Sequence, residues 1–176
     1  MSKYEEMSGA AVKGREKELQ YRERCHNCLL AFLNGFMRYC EIPPGQVQCL
    51  RWNKQSGDES EFSTPIAGAG LAPSDAIEFD QQTRDFVVGI RLLVGDPHVR
   101  PRPWAFFPLY VYSGDDQYLT LRIGRSGKRH RIDFVDSDGW TSIYEEVIQG
   151  IKDALSNPAK AKTLTQKIGF SAGEET

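Results

Sequence analysis

Residues 86–135 decide the fold, and their sequence is FVVGIRLLVGDPHVRPRPWAFFPLYVYSGDDQYLTLRIGRSGKRHRIDFV. Runs of β-branched and aromatic residues alternate in it with short groups of Gly, Pro, Ser and Asp, which is the pattern of strands separated by turns. The runs predict strands at residues 86–94, 104–112, 117–123 and 129–135. The connections at 113–116 and 124–127 are short enough for hairpins, so at least the last three strands should form an antiparallel meander.

The segment before these strands predicts a helix. Its apolar residues recur with the i, i+3, i+4, i+7 spacing of one helical face. They are Cys25, Cys28, Leu29, Phe32, Phe36 and Tyr39 or Cys40. Together with the charged run at residues 13–24, they predict a helix of about 15 to 25 residues. Pro43 and Pro44 mark its end, because proline cannot continue the hydrogen-bond ladder.

A second helix follows the strands. Ser142 and Glu145 fit a capping box at its start. Its apolar stripe consists of Ile143, Val147, Ile151, Ala154 and Leu155. With a further short strand at residues 47–52, we expect an α+β fold, in which an antiparallel sheet of four to five strands packs on one face against an N-terminal and a C-terminal helix.

The domain organisation follows from length and composition. With 176 residues the chain has the size of one domain, and we expect that α+β domain to cover residues 1–158. Residues 53–80 are rich in Gly, Ser, Pro and acids without a sustained period, which predicts a long loop or insertion. Residues 159–176 also have no element pattern, and we expect a polar C-terminal tail there.

Composition limits the classes of partner. The net charge of −2 argues against a protein that coats nucleic acid by charge alone, so a nucleic-acid partner stays open but is not favoured. No stretch resembles a signal peptide or reaches the roughly 20 apolar residues of a membrane span. We therefore expect a soluble, cytoplasmic protein without a membrane partner.

The cysteines invite a metal hypothesis. Cys25 and Cys28 form a Cys-x-x-Cys, which Cys40 and Cys49 could complete as a zinc site or which could act as a redox dithiol. The pair lies within a helical apolar stripe, however, and this favours packing in the core. The acids Asp133, Asp136 and Asp138 fit a turn better than a cation site. We expect neither a metal nor a cofactor.

A basic hairpin is the strongest candidate site. Residues 122–131 contain no acid, and their basic residues are Arg122, Arg125, Lys128, Arg129 and Arg131. Keeping Leu119, Leu121 and Ile123 on the core face forces Arg122 opposite Arg129 if the loop has four residues, or opposite Arg131 if it has two. Like charges directly opposite are destabilising by up to about 1 kcal/mol. An anion would relieve that repulsion.

Two interpretations of the hairpin stay open. In the functional one, these five residues bind a phosphate or carboxylate, with Tyr118 available for stacking. A glutamate at position 122 should then leave the fold intact or slightly more stable, because it replaces a repulsive cross-strand pair. In the other, the arginines are a solvated face that pairs with acids such as Asp133, Asp115 and Asp116.

The run at residues 104–112 has aromatic side chains on one alternation, namely Trp104, Phe106, Tyr110 and Tyr112. They belong either to the core or to a surface for a protein partner or a homodimer. Pro108 lies in the middle of this run, which predicts an edge strand or a bulge.

No catalytic motif is present. The phosphate-binding glycine loop, the Gly-x-Ser-x-Gly elbow and the acid-x-lysine pairing of metal-dependent nucleases are all missing. The first functional hypothesis is therefore a non-catalytic cytosolic binding or interaction protein that uses the basic hairpin face for an anionic ligand or partner. The alternative is a hydrolytic enzyme acting on a phosphate-containing substrate, with a site assembled from His98, His130, the arginines and an aspartate.

Overall fold

A computed structural model describes residues 2–52, 62–63, 71–96, 98, 102–113, 118–124, 127–132, 139–156 and 171–175. The helices are α1 (Lys3–Tyr39), α2 (Pro73–Ala76) and α3 (Trp140–Ser156). The strands are β1 (Val47–Trp52), β2 (Phe62–Ser63), β3 (Glu78–Phe79), β4 (Phe86–Leu93), β5 (Arg102–Ser113), β6 (Leu119–Ile123), β7 (Arg129–Ile132) and β8 (Ser171–Glu175).

The strands form one antiparallel sheet with the order β2-β1-β4-β5-β6-β7, in which β3 also pairs with β4 and β8 with β5. The predicted α+β fold, an antiparallel sheet with an N-terminal and a C-terminal helix, is confirmed, and in the described part of the chain the sheet has eight strands, three more than predicted. The additional strands β2, β3 and β8 fall in residues 53–80 and 159–176, where no element was predicted. Strand β8 has the sequence SAGEE, whose small and acidic residues give no apolar alternation to detect.

Helix α1 is 37 residues long, so the predicted length of 15 to 25 residues was too short. It begins with a capping box between Ser2 and Glu5, and its first half is held by helix-favouring charged residues instead of an apolar stripe. Residues 3–17 are exposed. Contact with the sheet side starts at Glu18, which forms an ion pair with Arg84, and continues at Tyr21, whose hydroxyl donates to the Arg84 carbonyl at 2.7 Å. None of the described helices combines the length and the apolar character that crossing a membrane requires.

The core lies between the sheet and the two long helices. From α1 it contains the predicted apolar face, including Cys25 and Cys28, and from α3 it contains Val147 and Ile151. Alternate residues of β4, β5 and β6 point into it, and the rings of Phe36 and Phe107 meet edge to face at 6.1 Å. The predicted packing of the Cys-x-x-Cys in the core is confirmed.

Strand β5 is central, so the edge position predicted from Pro108 is wrong. Pro108 lies between Phe106, where pairing with β8 ends, and Leu109, where pairing with β6 begins. Its carbonyl accepts a hydrogen bond from the Gly124 amide on the β6 side at 2.8 Å. Because the N–H and C=O of a strand residue point to the same side, the missing N–H faces the junction of β8 and β6 and removes no bond to β4.

Helix α3 starts two residues earlier than its predicted cap. Ser142 lies inside the helix, and its hydroxyl donates to the Gly139 carbonyl at 3.2 Å instead of capping the helix. The predicted capping box with Glu145 is therefore wrong, while the apolar stripe of the helix faces the core as expected.

Candidate anion-binding face

The hairpin of β6 and β7 has one of the two predicted registers. Arg122 pairs with Arg129, Thr120 with Arg131 and Leu121 with His130, which corresponds to the four-residue loop. Leu121 is buried in the core under the helices. Because side chains alternate across a strand, the arginines at 122, 129 and 131 share the opposite face of the sheet.

Each of these arginines lies over a tyrosine ring on that face. The guanidinium carbon is 4.5 Å from the ring centre for Arg122 over Tyr110, 5.9 Å for Arg129 over Tyr112 and 3.9 Å for Arg131 over Tyr118. We call these three arginines and three tyrosines the arginine–tyrosine cluster. Arg129 and Arg131 are exposed, whereas Tyr112 and Tyr118 are half-buried and Tyr110 is buried. The rings hold the guanidinium groups without neutralising their charge.

One carboxylate reaches the cluster. An Asp85 Oδ atom lies 3.5 Å from an Arg122 Nη atom, and the two side chains are only 13% and 19% exposed. Burial raises the pKa of Asp85, although the neighbouring charge of Arg122 opposes this shift. Within the described part of the chain, Arg129 and Arg131 have no ion-pair partner and the buried Nε of Arg122 has no hydrogen-bond acceptor. Among the described residues, the cluster therefore has an excess of positive charge and a donor without an acceptor.

The contact with Asp85 changes the expectation for position 122. A glutamate there would face the Asp85 carboxylate instead of only replacing a repulsive arginine pair. Two carboxylates at that distance repel each other, so Arg122→Glu should destabilise the fold, contrary to the expectation from sequence.

Other predicted members of the site lie elsewhere. Lys128 is on the helix side of the sheet, where its Nζ is 3.9 Å from Glu146 of α3, and the Nε2 of His130 lies 3.4 Å from the same carboxylate. Arg125 is outside the described residues, and so are the acids predicted to pair with the hairpin or to form a turn after it. These acids are Asp115, Asp116, Asp133, Asp136 and Asp138.

The aromatic residues of β5 do not form a broadly exposed patch. Tyr110 is 5% exposed, and Trp104, Phe106 and Tyr112 are half-buried. Arg91 lies over the Trp104 ring at 4.7 Å on the same sheet face, and its buried Nε has no acceptor among the described residues. The alternation of β4 could have indicated that Arg91 points to this face. Asp85 could not have been found in this way, because its contact with Arg122 depends on the pairing of β4 with β5 and of β5 with β6.

The residues of the enzymatic alternative are separated. His130 lies in the same cross-strand row as Phe86 at the start of β4, whereas exposed His98 follows the other end of that strand. A cleft of about 330 Å³ beside α1 and α3 is mainly apolar, with Phe36, Ile42 and Leu92 in its wall, and neither histidine lines it.

The buried thiols are chemically quiet. Burial raises the pKa of Cys25 to about 11 and that of Cys28 to about 12, so both stay protonated at neutral pH. A redox nucleophile needs the thiolate. Among the described residues, His, Cys, Asp and Glu form no group of three or more that could hold a metal ion.

No protein-family model, curated protein or solved structure matches the chain. Evidence about its function therefore comes from the side chains themselves.

Proposed function

We propose that this protein is a non-catalytic cytoplasmic binding protein whose arginine–tyrosine cluster holds an anionic ligand. The observation that carries the proposal is the direct pairing of Arg122 with Arg129, next to Arg131, while Asp85 contacts only Arg122 among the described residues. An anion between the guanidinium groups would replace cross-strand repulsion with charge-assisted hydrogen bonds. The Nε donor of Arg122, which has no acceptor among the described residues, supports the same conclusion, because buried donors are normally satisfied.

Binding without turnover is favoured by the chemistry around the cluster. A general acid or base must lie within hydrogen-bond reach of the reacting group. His130 is turned to the helix side, and Asp85 already contacts Arg122. The described geometry thus offers no observation in favour of the hydrolytic alternative. All four cysteines are free thiols, which supports the cytoplasmic location.

Thermal unfolding with inorganic phosphate tests the proposal. A ligand that binds only the folded state stabilises it by RT ln(1 + [L]/Kd), so phosphate should raise Tm in a saturable way. Arg129→Gln removes one exposed guanidinium of the cluster and should weaken phosphate binding about tenfold, as expected for the loss of a charge-assisted hydrogen bond.

The matched control is Lys128→Gln. It removes the same charge from the same hairpin, but Lys128 faces Glu146 on the other side of the sheet. Its phosphate response should equal that of the wild type, as should the response of Arg15→Gln on the exposed half of α1. Equal losses in all three variants would show a general salt effect and refute the proposed site.

A further inference from the structure

We infer that the ligand of the arginine–tyrosine cluster is a single-stranded nucleic acid; this inference rests on the proposed function and names its ligand class. Its starting point is the arrangement of Arg131, which is exposed and lies 3.9 Å over the ring of Tyr118. Cation–π attraction to the ring favours this position of the guanidinium group. The guanidinium group is itself planar, and an unpaired base can stack on it.

The arrangement is repeated across the hairpin. Arg129 lies two residues before Arg131 on β7, so the two side chains are separated by about 6.7 Å along the strand. Arg129 lies over Tyr112, and Arg122 lies over Tyr110 one strand further on. A simple anion would interact only with the positive charges of these three arginines. A polymer with a phosphate and a planar base in every unit would interact with the charges through its phosphates and with the guanidinium planes through its bases.

A single strand fits these features better than a duplex. The bases of a duplex are stacked on each other, so their faces cannot reach a guanidinium plane on a sheet. Half-buried Tyr112 and Tyr118 lie beside exposed arginines on one sheet face, as expected for a surface that contacts backbone and bases together. An acidic polypeptide would match the charge but would leave the stacking planes unused.

Fluorescence anisotropy with the full-length protein and a labelled oligothymidylate of about twelve nucleotides tests the inference, since such lengths suit known single-strand surfaces. Inorganic polyphosphate serves as the base-free polyanion and polyglutamate as the acidic polypeptide. The oligonucleotide should bind at least about tenfold more tightly than polyphosphate, because stacking adds to the charge contacts. Three phosphate contacts predict a slope of log K against log salt of about −2, and Arg129→Gln should reduce its magnitude by about 0.7.

Arg131→Lys separates charge from stacking. Lysine keeps the positive charge but lacks the guanidinium plane, so the affinity for the oligonucleotide should fall at least about fivefold more than the affinity for polyphosphate. Tyr118→Leu should have the same selective effect, and Tyr118→Phe should restore binding because it keeps the ring.

The outcomes distinguish this inference from the proposed function. If polyphosphate binds as tightly as the oligonucleotide and Arg131→Lys changes neither, the anion site stands and the nucleic-acid inference is overturned. If polyglutamate displaces the oligonucleotide at equal charge concentration, the ligand class is an acidic polypeptide and the inference is also overturned. If no polyanion binds, both the proposed function and the inference fail.

Discussion

Arg122 has two neighbours with opposite effects on an incoming anion. Arg129 repels Arg122 across the hairpin, and an anion would relieve this repulsion. The Asp85 carboxylate, which lies 3.5 Å from Arg122, would compete with that anion. Asp85 is also mostly buried, and burial raises its pKa. The charge state of this one carboxyl should therefore control the affinity of the cluster.

Asp85→Asn should strengthen anion binding, although it is outside the arginines themselves. Removing the competing charge should raise the affinity for sulfate by up to about fivefold, which corresponds to the roughly 1 kcal/mol of a partly exposed ion pair. Titration calorimetry at neutral pH measures this directly. A variant that binds sulfate more weakly than the wild type would show that Asp85 does not oppose the ligand.

The pH dependence provides the control for this substitution. Because the pKa of Asp85 is raised, its proton binds at a higher pH than in an unperturbed aspartate. The sulfate affinity of the wild type should rise as the pH falls through this raised value, while sulfate keeps its charge. Asp85→Asn has nothing to titrate at this position and should lack that rise. An identical pH profile in both proteins would contradict the assignment.

Helix α1 shows what periodicity can predict for an element. The apolar stripe from Cys25 onwards was found because packing against a sheet imposes the 3.6-residue period. The exposed half has no such period, since it packs against nothing in the described part of the chain, and only the capping box of Ser2 and Glu5 marks its start. The apolar period of the buried face therefore predicts too short a length for a helix that extends beyond the core.

The contact between α1 and α3 depends on a glycine. A Cβ atom on Gly35 would overlap the hydroxyl oxygen of Tyr144 and would lie 3.2 Å from its Cζ. The Tyr144 ring cannot move away easily, because it packs 5.2 Å from Phe32 and 5.8 Å from Phe36, measured between ring centres. Glycine thus allows the two helices to approach closely at this point.

Gly35→Ala should destabilise the protein by up to about 2 kcal/mol, because overpacking costs roughly 1 to 3 kcal/mol and alanine regains about 1 kcal/mol of helix propensity. In a Tyr144→Phe background the hydroxyl is absent, so the same substitution should be neutral or slightly stabilising. Urea unfolding of the four proteins gives the coupling energy. Additive effects would mean that Gly35 and Tyr144 do not meet as described.

At the scale of the whole molecule, the sequence pattern predicted the antiparallel meander of β5, β6 and β7, but it did not identify all the residues that contact each other there. Inward alternation on β6 restricted Arg122 to two partners, and both registers keep the same residues in the core, so the alternation could not choose between Arg129 and Arg131. The four-residue loop of the hairpin places Arg129 opposite Arg122. The pairing of β4 with β5 brings Asp85 next to Arg122. This pairing joins distant parts of the chain, so no local sequence period predicts it.

The hairpin residues are separated onto two faces of the sheet, although Lys128 was predicted to act together with the arginines. Arg122, Arg129 and Arg131 face away from the helices, while Lys128 and His130 face Glu146 of α3. Among the described residues, the local charge of the hairpin is therefore divided, and three guanidinium groups lie on the sheet face that points away from the helices.

A phosphate titration followed by NMR tests this account most directly, because the resonances of arginine Nε–H groups and backbone amides report where the anion binds. The account predicts saturable shifts that are largest at the Nε–H of Arg122 and at the amides of β6 and β7, with little change at Arg15 on the exposed half of α1. Shifts of equal size at Arg122 and Arg15, or the largest shifts at Lys128 and the amides of α3, would contradict it.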